Sequence, residues 1–364
     1  MSSTLEVMHF VDPDYIFSNS SGEARIFGKL QCLLTGHTPL AEFDTRRLTR
    51  MFPKIRYLSL GGSLQDIVHY HEIDPALNSR LQTLHSNNIR HRFPHLWRSL
   101  DTVRCGDVGV LYALGLTCPI RHIELDEPLG GCHSQLAMWT TALRDCEASA
   151  ISVTVNSTSY DLSRTLFPIP PNQPLTHLNL AIKIESGVSM DTIMENLIRL
   201  GKSFPLEYLS IAISLKLGRI IKLQNGKEVK VFKDTACSLA KMQTIDVARI
   251  FAEAVHTLRY FAFTRAIDGE HNGFHDSDLS PGDSGCVSDS TLWSIGEHGR
   301  DNLGHVVLVE EVPLEARYDV LRGERMLGLK SLHWARAGKG DVIHHYLLQF
   351  NRAETRRTAT PYAD

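Results

Sequence analysis

A short phrase with apolar residues at its first, fourth and sixth positions recurs along the chain, and it constrains the fold more than any other feature. The clear copies are IRYLSL (55–60), IRHIEL (120–125), LTHLNL (175–180), LEYLSI (206–211) and LRYFAF (258–263). Because side chains alternate along a strand, positions 4 and 6 lie on one face and positions 3 and 5 on the other. Each copy therefore predicts a half-buried strand.

Four weaker copies and a set of prolines extend this pattern. The weaker copies begin at Leu100, Ala150, Leu303 and Leu329. A proline stands one or two residues ahead of four clear copies, at Pro53, Pro119, Pro174 and Pro205. Proline ends a preceding helix and favours an extended entry into the next element, so the boundary before the strand repeats together with the strand.

Segments with helical periodicity lie between the copies. Apolar residues recur with helical spacing over 190–198 behind Ser189, and over 247–255 behind Thr244, which predicts two amphipathic helices with these two residues as N-caps. Weaker helical patterns cover 107–114 and 134–143. An order of helix, proline and strand predicts parallel strands joined by helical crossovers.

The predicted fold is α/β, an irregular leucine-rich-repeat-like solenoid with parallel strands on one face and helices on the other. Copies that begin at 100, 120, 150, 175 and 206 are 20 to 31 residues apart, near the roughly 20–29-residue period of such repeats. The Asn-Gly pair at 225–226 predicts a hairpin. We expect an N-terminal segment of unassigned fold (1–45), a solenoid (46–266) with the hairpin inserted (219–232), a flexible loop (267–290), a continuation of the solenoid (291–350) and a tail (351–364).

The repeats resemble the leucine-rich-repeat part of fungal F-box-like proteins. The resemblance is carried by FPKIRYLSL (52–60), CPIRHIEL (118–125), FPLEYLSI (204–211) and DVARIFAEAVHTLRYFAF (246–263), within residues 46–266. It implies a protein-binding platform that presents substrates to a ubiquitin ligase through a Skp1-type adaptor. The first 50 residues contain no Leu-Pro-x-Glu opening and no clear three-helix F-box, so adaptor binding is assigned to no residue.

The turns after the strands depart from the regular repeat of that family. A regular repeat places Asn or Cys at the turn, where the side chain bonds to backbone groups, whereas this chain has Ser63, Pro128, Lys183, Ser214 and Ala266. We therefore expect an irregular stack whose turns are held differently from copy to copy.

Composition limits the compartment and the partners. The net charge is −3, which provides no basic field for nucleic acid. No signal peptide is visible and no apolar run approaches the ~18 residues of a membrane span. Seven cysteines without a C-x-x-C pair indicate reduced thiols. We predict a cytoplasmic or nuclear protein that binds neither nucleic acid nor membrane and needs no metal or cofactor.

Position 3 and position 5 of the strands supply the candidate binding residues. Parallel strands in register would place the position-3 residues Tyr57, His122, His177, Tyr208, Tyr260 and His305 side by side, next to Ser59, Arg104, Glu124, Asn179 and Ser210 at position 5. Aromatic side chains with a polar tip are enriched at protein interfaces, although Tyr also suits an exposed strand. The predicted protein-binding residues are Tyr57, His122, Glu124, His177, Asn179, Tyr208 and Tyr260.

Three functions remain open at this point. The first is non-catalytic protein recognition on the strand face, including the role of substrate receptor of an F-box-type ubiquitin ligase. The second is a serine hydrolase, because GDSG at 282–285 resembles the nucleophile signature of chymotrypsin-like proteases, with Ser284 as nucleophile and His271 or His275 as base. The third is a structural scaffold. The helix-and-strand alternation favours recognition, since that protease fold needs antiparallel barrels.

Overall fold

The structure is a computed structural model of the chain. It describes the following residues: 7–10, 26–35, 44–61, 75–90, 97–129, 132–157, 173–184, 188–217, 235–269, 287–295, 309–313 and 316.

The described residues form eleven strands and seven helices. The strands are β1 (Val7–Phe10), β2 (Cys32–Thr35), β3 (Tyr57–Leu60), β4 (Leu100–Cys105), β5 (Ile120–Leu125), β6 (Ala148–Ser157), β7 (His177–Ile184), β8 (Tyr208–Leu217), β9 (Tyr260–Gly269), β10 (Val287–Ser294) and β11 (Glu310–Glu311). The helices are α1 (Thr45–Met51), α2 (Pro75–Arg90), α3 (Val108–Leu114), α4 (His133–Asp145), α5 (Met190–Lys202), α6 (235–241) and α7 (Thr244–Ala254).

All the described strands form one sheet, in which each strand pairs with the next along the chain. The pairs from β1 to β9 are parallel, whereas β10 and β11 are antiparallel to their predecessors. A parallel pair requires the chain to return to the same end of the sheet, and the helices lie in these return connections. The predicted α/β class is confirmed, and the sheet is open and mostly parallel.

The helices cover one face of the sheet, which we call the inner face. Its strand residues are those of positions 4 and 6, and the position-4 column consists of Leu33, Leu58, Val103, Ile123, Ile151, Leu178, Leu209 and Phe261. These side chains are buried in one cluster together with the apolar faces of all seven helices. The other face carries positions 3 and 5 and is called the open face.

Local capping explains where the helices begin. The Asp107 carboxylate accepts a hydrogen bond from the Val110 N–H at 3.0 Å, and the Ser189 hydroxyl accepts one from the Thr192 N–H at 3.2 Å. These bonds satisfy N–H groups that have no partner within the helix. The predicted cap Ser189 is confirmed. The predicted cap Thr244 is wrong by one residue, because Gln243 precedes α7 and makes no side-chain capping bond.

The ends of the helices are held by a different side chain in each unit. The Trp97 indole donates to the carbonyl of Phe52 at 2.8 Å, after α1. The Asn88 amide donates to Ala113 O, in α3, at 2.7 Å. After α6, one guanidinium nitrogen of Arg265 donates to three carbonyls at 2.6 to 3.1 Å. Carbonyls at a helix C-terminus lack intrahelical partners, so these side-chain bonds satisfy them.

Gln173 plays the same part between α4 and β6. Its side-chain nitrogen donates to the carbonyls of Leu143 and Cys146, and its side-chain oxygen accepts a hydrogen bond from the Ala148 N–H at 2.8 Å. Gln173 is buried. One amide therefore satisfies three backbone groups that water does not reach.

The structure moves one predicted strand and adds two at the N-terminal end of the sheet. Ile123 pairs with Ile151, so the weak copy begins at Ala148 rather than at the predicted Ala150. Side chains alternate along residues 148–155 whichever of the two starting points is used, so spacing alone does not decide between them. The strands β1 and β2 lie in the segment left unassigned, so the sheet begins before residue 46. The copies at Leu303 and Leu329 fall outside the described residues.

The C-terminal part differs from the predicted continuation. The two ends of the predicted loop at 267–290 belong to β9 and β10, and the antiparallel direction of β10 ends the parallel repeat at β9. The hairpin at 219–232, the remaining loop residues 270–286 and the tail at 351–364 lie outside the described residues. None of the described helices is long and apolar enough to cross a membrane.

Candidate recognition face

The open face presents two continuous columns of side chains across strands β3 to β9. In register, position 3 consists of Tyr57, Thr102, His122, Ala150, His177, Tyr208 and Tyr260. Position 5 consists of Ser59, Arg104, Glu124, Ser152, Asn179, Ser210 and Ala262. Neighbouring strands are about 4.8 Å apart, so successive members of a column are close enough to pack against each other.

The structure places all seven predicted binding residues in these two columns. Tyr57, His177, Asn179 and Tyr260 are half-buried. His122, Glu124 and Tyr208 were expected to be exposed, but they are only 4%, 1% and 5% exposed. His305, the sixth aromatic residue of the expected column, lies outside the described residues.

An ion pair stands at the end of the open face formed by β3 to β5. Arg104 Nε donates hydrogen bonds to both carboxylate oxygens of Asp126, at 2.9 and 3.1 Å. Arg104 Nη2 lies 2.9 Å from Asp126 Oδ1. Burial lowers the pKa of Arg104, but the carboxylates of Asp126 and Glu124 outweigh this effect and raise it above its ordinary value. The guanidinium is therefore permanently charged and fixed in direction by a bidentate contact.

Tyr57 adjoins this ion pair. Burial and, second, the negative charge of Glu124 raise the pKa of the Tyr57 phenol to about 12. The phenol is therefore neutral at physiological pH. This end of the face exposes part of the Arg104–Asp126 ion pair, which is suited to hydrogen bonding with a polar partner surface, whereas the Glu124 carboxylate and the Tyr57 hydroxyl are buried.

His122 forms the centre of the face with Ser152. Its Nε2 lies 2.8 Å from the hydroxyl of Ser152 on the adjacent strand β6. The β6 residue directly opposite His122 is Ala150. Burial, followed by electrostatic interaction with Arg121 and His177, lowers the pKa of His122 to about 4. A serine beside a neutral imidazole resembles a nucleophile and its base. An imidazole with so low a pKa is a poor base at neutral pH, however, because proton transfer is most efficient when the pKa lies near the working pH.

Aromatic rings pack side by side on β7 to β9. The His177 and Tyr208 rings stack with centroids 6.0 Å apart, and the Thr176 hydroxyl lies 2.8 Å from His177 Nδ1. Burial raises the pKa of the Tyr208 phenol well above its ordinary value. On the next strand, the Arg259 guanidinium lies 5.7 Å from the centroid of the Tyr260 ring, within the range of a cation–π contact.

Beyond these rings the open face becomes apolar. A second buried cluster, separate from the inner core, contains Ala150, Tyr208, Ala262, Leu292 and Val312, with Tyr260 and Ala316 packed against it. Leu292 enters it from β10, where it pairs with Ala262. The open face therefore changes from ionic at β3–β5 to apolar at β8–β10.

Sequence analysis missed two residues of this face. Asp126 follows Glu124 by two residues and shares its face, so the alternation that identified Glu124 also contained the signal for Asp126. Ser152 was missed because the copy that contains it was placed two residues too late. Ser152 was therefore missed through a shifted strand frame, and Asp126 because the strand phrase was read only to its sixth position.

The residues of the hydrolase hypothesis, Ser284, His271 and His275, lie outside the described residues, so they cannot be assigned to this face. Within the described part of the chain, no group of three or more His, Cys, Asp or Glu side chains is placed to hold a metal ion. The described cysteines Cys32, Cys105, Cys118, Cys132, Cys146 and Cys237 are free thiols.

Comparisons of the chain with protein-family models, with curated proteins and with solved structures found no significant match.

Proposed function

We propose that this chain is a leucine-rich-repeat-type solenoid that acts as a non-catalytic recognition scaffold and binds a protein partner on its open face. The observation that carries the proposal is the pair of registered columns at positions 3 and 5, on the face that the described helices leave uncovered. The strict chain order of the strands and the helical connections support the solenoid form.

The chemistry of the open face supports recognition rather than catalysis. Half-buried His177 and Asn179 on β7 and half-buried Tyr260 on β9 offer two rings and an amide whose polar atoms can bond to a partner. Such side chains bury a large area with little loss of conformational freedom, which is why they are enriched at protein interfaces. The low pKa of His122 argues against the one described Ser–His pair as a reactive centre.

Photo-crosslinking tests the location of the partner. A photoreactive amino acid replaces Asn179 on the open face, and in a matched control it replaces Ile250, an exposed residue on the helix side. We expect position 179 to capture a defined protein that position 250 does not. Capture of the same proteins from both positions, or only from position 250, would contradict recognition on the open face.

A narrower form of the proposal makes the chain the substrate receptor of an F-box-type ubiquitin ligase in the cytoplasm or nucleus. Its support is the resemblance of the repeat motifs to fungal F-box-like proteins. The described residues of the first 50 form two strands and one helix, which differs from a three-helix F-box. Co-purification with a Skp1-type adaptor tests this form. A negative result would remove the ligase role and leave recognition on the open face untouched.

A further inference from the structure

Three segments near the N-terminal end of the sheet meet at Phe52, the residue that follows α1. The Phe27 ring stacks on the Phe52 ring with centroids 5.4 Å apart, and the Phe27 N–H donates to the Met51 carbonyl at 2.7 Å. From the segment before β4, the Trp97 indole donates to the Phe52 carbonyl at 2.8 Å. Residues next to Phe27, Phe52 and Trp97 in the chain are therefore close together in space.

The exposed neighbours of these three residues form a surface of mixed character, which we call the basic patch. Its members are Ile26, Arg50, Lys54 and Arg98, each one or two residues away from this contact and each exposed. Ile26 is 68% exposed, and among the large apolar side chains of the described residues only Ile250 is exposed as well. An apolar side chain beside charged groups has the composition of a small interface with a polar rim.

The described carboxylates do not neutralise the three cations of the basic patch. Asp44 pairs with Arg46 at 3.4 Å and Asp101 pairs with Arg56 at 2.8 Å, and none of the described carboxylates pairs with a cation of the patch. The segments 26–31, 44–56 and 97–101 contain seven Lys and Arg residues against two Asp, whereas the whole chain has a net charge of −3. The positive charge is therefore concentrated in this region.

The needs of the fold account for only part of this surface. Arg50 lies in the last turn of α1, where a cation interacts favourably with the helix C-terminus. Lys54 and Arg98 lie outside the helices, so this reason does not apply to them. Nor does it apply to Ile26, whose exposure leaves an apolar side chain in water.

We propose that the basic patch is a second docking surface and that its partner is an acidic protein segment that carries an apolar side chain. Asp or Glu side chains of the partner would pair with Arg50, Lys54 and Arg98, and its apolar side chain would pack on Ile26. Complementary charges accelerate association and fix orientation, while a desolvated apolar contact contributes affinity. None of these residues belongs to the columns of the open face, so this inference goes beyond the proposed function.

Two other kinds of polyanion fit the basic patch less well. Attachment to an anionic membrane takes clusters of about four to eight cations, and the patch has three with one large apolar side chain. A nucleic-acid backbone carries a phosphate at every step and would also meet the carboxylates of Asp44 and Asp101, whose side chains are 47% and 39% exposed. A short acidic protein segment can place its carboxylates beside the cations alone.

Peptide selection on the full chain tests the chemistry of the partner. Phage that display short random peptides are selected on the immobilised chain, and the affinities of the enriched peptides are measured by fluorescence polarisation. The patch variant combines Arg50→Glu, Lys54→Glu and Arg98→Glu. The control variant makes the same change of charge on α4 and α5, at exposed Arg144, Arg199 and Lys202.

We expect enriched peptides that contain several Asp or Glu residues and an apolar residue. They should bind the patch variant at least tenfold more weakly and the control variant as tightly as the unmodified chain. Ile26→Ser should weaken them at least threefold, as should the milder pair Lys54→Gln and Arg98→Gln, which leaves the helices unchanged. Absence of such peptides, an equal loss in the patch and control variants, or no effect of Ile26→Ser would overturn the proposal.

The same measurement with two other probes separates the classes of partner. Vesicles of phosphatidylserine and phosphatidylcholine and a short DNA duplex should bind more weakly than the acidic peptides. Tighter binding of either probe, lost in the patch variant, would overturn the proposal in favour of a membrane or a nucleic acid. Crosslinking from Asn179 reports on the open face alone, so failure of the basic patch and failure of the proposed function are distinguishable.

Discussion

The two faces of the sheet follow the same alternation of side chains but differ in composition. On the inner face, positions 4 and 6 carry buried side chains from strand to strand, and except for Thr35 on β2 these are apolar and belong to the core beneath the helices. On the open face, positions 3 and 5 change from an ion pair at Arg104 to a His–Ser pair at His122, then to stacked rings and an apolar cluster at Leu292.

This difference separates what the fold requires from what it permits. A buried wall tolerates only apolar groups of suitable volume, so every inner position is under the same physical constraint. The open face has no such common constraint, and its chemistry varies along the sheet. A variable surface on a uniform frame is the arrangement expected of a recognition scaffold.

The largest expected effect compares two adjacent residues on opposite faces of β7. Leu178→Asp places an unpaired charge in the inner core, where Leu178 is fully buried, and should cost roughly 4 kcal/mol or more of the free energy of unfolding. His177→Asp on the open face should cost about 1 kcal/mol or less, through loss of the stack on Tyr208. Urea denaturation measures both. Equal tolerance of the two changes would contradict the assignment of the faces.

The second effect concerns pH and arises from the open face. Since the pKa of His122 is about 4 in the fold and about 6.5 in the unfolded chain, the unfolded state binds the proton more tightly. The contribution of neutral His122 to the free energy of unfolding is therefore fully present above pH 6.5. It is lost as the pH falls toward 4, a loss of roughly 3 kcal/mol. His122→Gln should remove this part of the slope in denaturation series between pH 7 and 4.5. A slope that survives the substitution would assign the acid sensitivity to other groups.

The third effect compares two amides, one on each side of the sheet. Gln173→Met leaves two carbonyls and the Ala148 N–H without their partner and should cost about 2 kcal/mol. Asn179→Met on the open face should change stability by about 0.5 kcal/mol or less. Thermal unfolding of the two variants provides the comparison. A larger loss from Asn179→Met would show that the open face also carries structural hydrogen bonds.

The smallest effect is that of the ion pair on the open face. Arg104 and Asp126 have side chains that are 24% and 31% exposed, so their coupling should be about 1 kcal/mol or less and should decrease with added salt. A double-mutant cycle with Arg104→Met and Asp126→Asn measures it at two salt concentrations. A coupling of several kcal/mol that does not change with salt concentration would show that this pair is shielded from solvent, as the residues of the inner core are.

The strand phrase predicted the fold well because its information is local. Alternation over six residues was sufficient to place five strands and to assign Leu178 inward and His177 outward. It failed at β2, where Thr35 occupies position 6, and at β6, where two frames alternate equally well. In both cases the missing information was the register with the neighbouring strand, which one segment does not contain.

The features that depend on distant partners were beyond the sequence. Gln173 bonds to groups 25 to 30 residues away, and Arg265 reaches back 23 to 26 residues to α6. The burial of His122 and its bond to Ser152 likewise depend on the neighbouring strand β6. Chemical type and spacing identified the residues of the open face, whereas their exposure is a property of the assembled sheet.

The chain-ordered sheet has a consequence for insertions and deletions. Each described strand pairs only with its predecessor and its successor, so the described sheet is an open row of strands. In the solenoid that we propose, gain or loss of one complete helix-and-strand unit would lengthen or shorten this row without rearranging the strands on either side.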